Sequence, residues 1–202
     1  MSRTDPRTIR SHQMLVEALI ACMETKNAAA ISVSELTEKA GLNRATFYLH
    51  FQDMPDFFEK IIGQTLNGLI DAANTGKAGG KPEVFLPDSF YINYFLYIKK
   101  NKRLFQAMLG KNGLPVFRER LVEMGIHAYS HLLEPYRREL EKHIALDILV
   151  CYIISAHTGL IDYWLRTDCK YSAEYMAAQV RYLTIESLGP VAALREKLNL
   201  PL

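Results

Sequence analysis

Apolar residues recur at helical spacing along nearly the whole chain. Ile9, Leu15, Ala18, Leu19 and Cys22 fall on one face and predict a first helix over about residues 7–26, entered through Asp5-Pro6. The run "NAAAI" reads as a short connector. Ser32-Val33-Ser34-Glu35 has the spacing of a capping box, so a second helix is expected over 33–40, stopped by Gly41. Asn43 is a good N-cap for a third helix over 44–50, and a fourth begins near Pro55 and runs past Ile70. Residues 74–82, "NTGKAGGKP", break the pattern. Beyond them the spacing predicts helices near 87–100, 102–109, 114–133, 137–166 and 172–187, with Pro135 a break or kink. No alternating strand pattern and no internal repeat is visible. The fold class is therefore all-α, divided into residues 1–70 and 71–202 about the breaker segment.

Composition adds bounds. The 202 residues are 49% hydrophobic and 23% charged, enough for a buried core. The net charge of +2 announces no polyanion partner, so any nucleic-acid site must be local. Cys22, Cys151 and Cys169 are scattered and odd in number, which fits a reduced, cytoplasmic chain. No apolar run is expected to cross a membrane; "LDILVCYIISAHTGLIDYWL" comes nearest, interrupted by Asp147, His157 and Asp162. The N-terminus has no signal-peptide pattern.

Residues 31–50 concentrate the candidate chemistry. Two short helices about a glycine turn can form a helix-turn-helix, whose second helix enters the DNA major groove. Arg44 can form a bidentate contact with guanine. Thr46 can donate to a phosphate or offer its methyl to thymine, and Ala45 permits close approach. Tyr48 and His50 can reach phosphates, Asn43 both caps and points an amide at the backbone, and Ser32 and Ser34 open the preceding helix. Leu36, Ala40, Leu42, Phe47 and Phe51 supply the apolar side. The bland alternative is a solvated helical hairpin, and charge does not decide between them. Residues 1–60 carry seven cations against eight anions, a net −1.

The stretch "ISVSELTEKAGLNRATFYLHFQDMPDFFEKI" resembles the N-terminal domain of the TetR/AcrR family of bacterial transcription regulators. Val33, Leu36, Ala40-Gly41-Leu42, Thr46-Phe47-Tyr48, His50-Phe51 and Phe57-Phe58 occur in the family's order, over residues 7 to about 68. The family usually has lysine where this chain has Met54, so a phosphate contact at the start of the fourth helix is not carried over. The resemblance implies a three-helix DNA-binding domain followed by an all-helical, divergent domain whose last two long helices pair with a second subunit. Ile161-Asp162-Tyr163-Trp164-Leu165 resembles a subset of the family that includes regulators found beside dihydroxyacetone kinases.

In the second half, Ser155 and Gly159 lie four apart on one face, and Met176, Val180 and Leu183 form a stripe on the last helix. These five are the expected dimer residues. Tyr91, Tyr94, Phe95, Phe105, Met108, Phe117, Met124, His127, Tyr152 and His157 are expected to line a pocket for a mostly apolar small molecule, although any one of them could be ordinary core. Glu123, His127 and His131 share a helix face at metal-ligating spacing, but no fourth ligand is evident. No phosphate loop or nucleophile–base pattern is present, so no cofactor or enzymatic activity is expected. The leading expectation is a homodimeric, ligand-responsive repressor that binds double-stranded operator DNA. The alternatives are a metal-dependent enzyme built on Glu123, His127 and His131, and a sensor or coactivator of the same fold that binds no DNA.

Overall fold

The computed structural model describes residues 6–75 and 87–187, and within them the secondary structure is helical. In chain order the α-helices are α1 (Pro6–Met23), α2 (Val33–Ala40), α3 (Arg44–Tyr48), α4 (Met54–Asn74), α5 (Asp88–Lys100), α6 (Lys102–Leu109), α7 (Pro115–Leu133), α8 (Arg137–Leu140), α9 (Leu146–Arg166) and α10 (Ala173–Ser187). Asp5 and most of the glycine-rich breaker segment lie outside the described residues.

Two compact units form, and they do not follow chain order. One gathers the chain up to Gly68 with Asn101–Arg118; the other gathers Leu69–Lys100 with Glu119 onward. The sequence pattern puts residues 102–118 with the second half, because a breaker reads as a boundary. Packing puts them with the first. Helix α6 packs on α1, where Arg103 pairs with Glu17 at 2.6 Å. Asn112 donates from Nδ2 to the Met23 carbonyl and accepts from the Ala28 amide, both at 2.8 Å. A periodic pattern shows that a helix has an apolar face but not which neighbour covers it.

In the first unit each local device matches its sequence signal. The Ser32 hydroxyl accepts from the Glu35 amide while the Glu35 carboxylate accepts from the Ser32 amide, closing the capping box. Gly41 is left-handed at φ 64°, and the Gly41 and Leu42 amides return to Glu38 and Thr37. Asn43 then caps α3 through its Oδ1, 2.9 Å from the Ala45 amide. The third helix is shorter than expected. It ends at Tyr48, so His50 lies beyond it, where the Lys60 ammonium takes the His50 carbonyl at 3.0 Å.

In the second unit α10 packs along α5, and Tyr129, Leu133, Leu140, Leu146, Leu149 and Ile153 form part of a buried core. The single helix expected over 137–166 is two. Helix α8 closes after one turn, and Ala145 is extended (ψ 134°) before α9 begins. The break carries no glycine or proline; it lets Leu140 and Leu146, both at most 2% exposed, enter the same core. Pro135 acts as expected, ending α7 in a 3₁₀ turn over Glu134–Tyr136. After α9, Asp168 takes φ 58°, and the Cys169 and Asp168 amides bond the Trp164 and Leu165 carbonyls, a Schellman closure without glycine.

Helix α9 corrects another expectation. With a mean hydropathy of 1.4 over its most apolar window, it is long and apolar enough by composition to cross a membrane. Its apolar side chains instead divide between two faces. Leu149, Val150, Ile153, Ile154, Ile161 and Trp164 are buried, whereas Ile148, Tyr152 and Tyr163 are exposed.

Gly41 offers a clean test of the turn, because a Cβ there meets nothing within 4 Å and only the backbone conformation would object. Gly41→Ala is expected to lower stability by about 1–2 kcal/mol, the cost of a left-handed residue with a side chain. An unchanged denaturation midpoint would contradict this.

Candidate functional site

A five-residue helix cannot stand alone in water; its orientation must come from packing. Phe47 provides it. It is fully buried, with its ring 5.2 Å from Phe51 and 5.7 Å from Phe57, and those two meet edge-to-face at 4.8 Å. Deleting such a ring typically costs about 3–5 kcal/mol. With Phe47 inward, Asn43, Arg44, Ala45 and Tyr48 are exposed, and Thr46 and His50 are half-buried.

Ser32 and Ser34 lie on the neighbouring helix, the first exposed and the second half-buried. The Arg44 guanidinium donates to the Ser34 hydroxyl, so two expected DNA residues hold each other. Two neighbours were missed. Leu49 is 77% exposed at the end of α3, and Lys60 spans Asp56, the His50 carbonyl and the face of Phe51. Their only sequence signal was position: a leucine after Tyr48 on a short polar helix, and a lysine four residues after Asp56. His12 packs near Phe51, and burial, helped by His50, pushes its pKa down.

The second unit holds a cavity of about 430 Å³, within the usual range for small-molecule pockets. Tyr91, Tyr94, Phe95, Met124, His127 and His157 line it together, as grouped from sequence. Four expected members do not. Phe105, Met108 and Phe117 are buried in the first unit, where Phe105 and Phe117 pack at 5.6 Å. Tyr152 is 58% exposed on the outer face of α9. Aromatic or polarizable identity suggests all ten, but burial in a core and exposure to a cavity leave the same mark on a sequence. The pattern missed Leu69, Ile70 and Ala73 at the end of α4, which also line the cavity.

Polar groups in and beside this cavity pair with one another. The Tyr91 and Tyr129 hydroxyls are 2.7 Å apart, and His157 Nε2 is 2.8 Å from Thr184 Oγ1. Burial pushes both tyrosine pKa values up and pushes His157 down to about 4. Thr184, 3% exposed, was also missed; its signal was a hydroxyl continuing the buried stripe of Met176 and Val180.

The expected dimer residues separate. Ser155 and Gly159 are exposed on α9 and Leu183 is 48% exposed on α10, but Met176 and Val180 are buried within the chain. Residues 176, 180 and 183 do fall on one stripe, but the chain covers only its first two members and leaves Leu183, near the end of α10 and beside exposed Tyr182, open. The metal arrangement also fails. Glu123, His127 and His131 are exposed, and among the described residues no three His, Cys, Asp or Glu side chains gather closely enough to hold an ion.

An exposed recognition helix on a glycine turn, followed by a helical body, defines a helix-turn-helix DNA-binding regulator. Residues 15–61 match the model for bacterial regulatory proteins of the tetR family, and residues 87–186 match a transcriptional regulator C-terminal region of the same family. The chain belongs to the TetR family of transcriptional regulators. It is 29% identical over 68 residues to the HTH-type transcriptional regulator YxbF of Bacillus subtilis (strain 168), a match covering 33% of this chain and only 18% of that protein. Its fold resembles the fatty acid degradation regulator FadR from Bacillus halodurans, with a TM-score of 0.66 and 13% identity over 91% of this chain and 96% of that one. It also resembles NalD, the secondary repressor of the MexAB-OprM multidrug efflux pump in Pseudomonas aeruginosa, with a TM-score of 0.59 and 17% identity over 93% and 96%. The dihydroxyacetone kinase operon activator DhaS matches at a TM-score of 0.52, with 17% identity over 89% and 96%. At these identities the likeness is one of fold.

The half-buried imidazole of His157 gives a pH prediction. Its folded pKa of about 4 lies below the ordinary 6.5, so the unfolded chain takes a proton first as the pH falls. Stability is then full above about pH 6.5 and declines toward pH 4, by roughly 3 kcal/mol in all from this group. His12 acts in the same direction. Denaturant titrations of His157→Phe are expected to lose most of that slope; a slope equal to wild type would contradict the assignment.

Proposed function

We propose that this TetR-family regulator is a cytoplasmic repressor that binds operator DNA as a homodimer and releases it when a small molecule enters the cavity of the second unit. The observation that carries DNA reading is the exposed face of α3, with Asn43, Arg44, Ala45 and Tyr48 outward and Arg44 steadied by Ser34. Arg44 reads a guanine edge, while Ser32, Ser34, Thr46, Tyr48 and His50 serve phosphates. NalD, named a repressor, shares the fold.

The exposed apolar faces of α9 and α10 support pairing. Ile148 is 60%, Tyr152 58%, Tyr182 61% and Leu183 48% exposed, and a two-fold partner would cover them. Pairing sets two recognition helices about 34 Å apart, one DNA turn.

Helix α4 is the coupling element of this proposal. Its Phe57 packs against Phe47 of the recognition helix, and its Leu69, Ile70 and Ala73 line the cavity. A ligand acts only through its differential affinity for the DNA-fitting and non-fitting states. A typical coupling of about 1–3 kcal/mol would weaken operator binding roughly 5- to 150-fold.

Two measurements test the reading. Arg44→Ala is expected to weaken specific operator binding by about 1–3 kcal/mol, with the circular dichroism spectrum unchanged. Gel shifts against the DNA upstream of its own gene would detect this, and unaltered affinity would remove Arg44 as a base reader. Gly159→Leu tests pairing, because a Cβ at Gly159 meets nothing within 4 Å in the chain itself. It should leave the subunit folded and weaken the dimer in sedimentation equilibrium. A wild-type chain that sediments as a monomer at micromolar concentration would defeat the homodimer.

A further inference from the structure

The cavity's polar atoms specify more than an apolar guest. We propose that it takes an uncharged, mostly apolar molecule with one hydrogen-bond donor, an alcohol or phenol hydroxyl, which is given to His157 Nδ1. The proposal rests on reading the cavity as the effector site and names the chemistry of its occupant.

Charge is the first constraint. Among the described residues lining the cavity there is no Lys, Arg, Asp or Glu. A carboxylate, phosphate or ammonium would leave water and meet no Lys, Arg, Asp or Glu side chain; the titratable groups at the wall are tyrosines and the imidazoles of His127, His131 and His157. The walls are instead apolar and aromatic, with Phe90 and Tyr94 nearly parallel at 18°.

The hydrogen balance around Thr184 supplies the second constraint. Its hydroxyl has one hydrogen, and that hydrogen goes to the Val180 carbonyl at 2.7 Å. Toward His157 Nε2, at 2.8 Å, the hydroxyl oxygen can therefore only accept, so Nε2 carries the ring proton. A neutral imidazole has one N–H, which leaves Nδ1 a lone pair. The imidazole is neutral because it is buried, which holds its pKa near 4. His157 lines the cavity and Thr184 does not, so the unused nitrogen belongs to the cavity side of this pair. The rings of Tyr91 and Tyr129 meet the imidazole edge-on at 6.4 and 5.4 Å and limit its rotation. Their hydroxyls bond each other and also face the Thr184 hydroxyl, so the hydrogen left over from their mutual bond has an acceptor there. An acceptor facing an apolar chamber selects a guest that brings a donor.

Calorimetry on the full chain with four probes of one skeleton tests this: 4-hydroxybiphenyl, 4-methoxybiphenyl, biphenyl-4-carboxylate and biphenyl-4-ylmethylammonium. The hydroxyl compound is expected to bind about tenfold more tightly than the methoxy compound, which keeps the oxygen but loses the donor. The two ions should bind more weakly still. In His157→Phe the hydroxyl and methoxy compounds should come within about threefold of each other. Equal affinity of hydroxyl and methoxy compounds in wild type overturns the proposal. So does an ion that binds as tightly as the phenol, or no binding of 4-hydroxybiphenyl up to its solubility limit. The wild-type comparison stands even if His157→Phe does not fold. Operator affinity measured with the same probes separates the two readings. Hydroxyl-selective binding that leaves operator affinity unchanged supports the ligand class and defeats ligand-driven release. Operator release driven better by the carboxylate than by the phenol does the reverse.

Discussion

The recognition helix cannot hold itself. Five residues make too few internal hydrogen bonds to offset the entropy of ordering them, so the presentation of α3 is set by one side chain, Phe47. Its ring is wedged with Phe51 and Phe57, and this fixes both the rotation of α3 and the entry of α4. Arg44 and Tyr48 face outward because Phe47 faces in. Gly41, the Asn43 cap and the Lys60 bond to the His50 carbonyl then finish the two ends. The outward presentation of α3 thus depends on an aromatic contact buried beneath it.

The second unit meets a different constraint. Helices α9 and α10 are apolar on more than one side, and one chain covers only one of them. Trp164 shows the covered side. It is fully buried, edge-on to Phe95 at 5.3 Å, and its indole N–H reaches the Tyr171 carbonyl at 3.0 Å. Ile148, Tyr152, Tyr182 and Leu183 show the other. Such a pair of surfaces explains why α9 is apolar enough to pass for a membrane span.

Local devices were the most legible part of the chain. The capping box at Ser32, the turn at Gly41 and the cap at Asn43 each rest on residues within four positions of one another, so the order of residues carries them. Which helix covers which does not lie in local order. That is why the pattern groups α6 with the second half although it packs on α1, and groups Phe105, Met108 and Phe117 with a cavity they do not line. Met176 and Val180 failed for the same reason: a stripe marks a buried face, but not whether the chain or a partner buries it. The α8–α9 break was hidden because no glycine or proline makes it; Leu140 and Leu146 pull the backbone into one core. On the cavity, the aromatic members were legible and Thr184 was not, since a threonine in an apolar helix also satisfies itself by bonding back, as Thr65 does to the Ile61 carbonyl at 2.7 Å.

That self-satisfaction changes how the cavity can work. Thr184 bonds back to Val180, yet its oxygen still accepts from His157, so one hydroxyl joins α10 to α9. The Tyr91 and Tyr129 hydroxyls similarly join α5 to α7. Four helices are therefore linked by one short polar network centred on Thr184, inside an otherwise apolar body where an unpaired polar group is costly. A guest that satisfies His157 leaves both links intact and adds contacts to them. A guest that competes for Thr184 or the tyrosine pair must break a link that only it can replace. On the proposed mechanism, the arrangement of these helices reports the difference through α4 and α7, the two cavity-lining helices that run on into the first unit. On that mechanism the same four side chains set both the selectivity of the cavity and its coupling to the first unit.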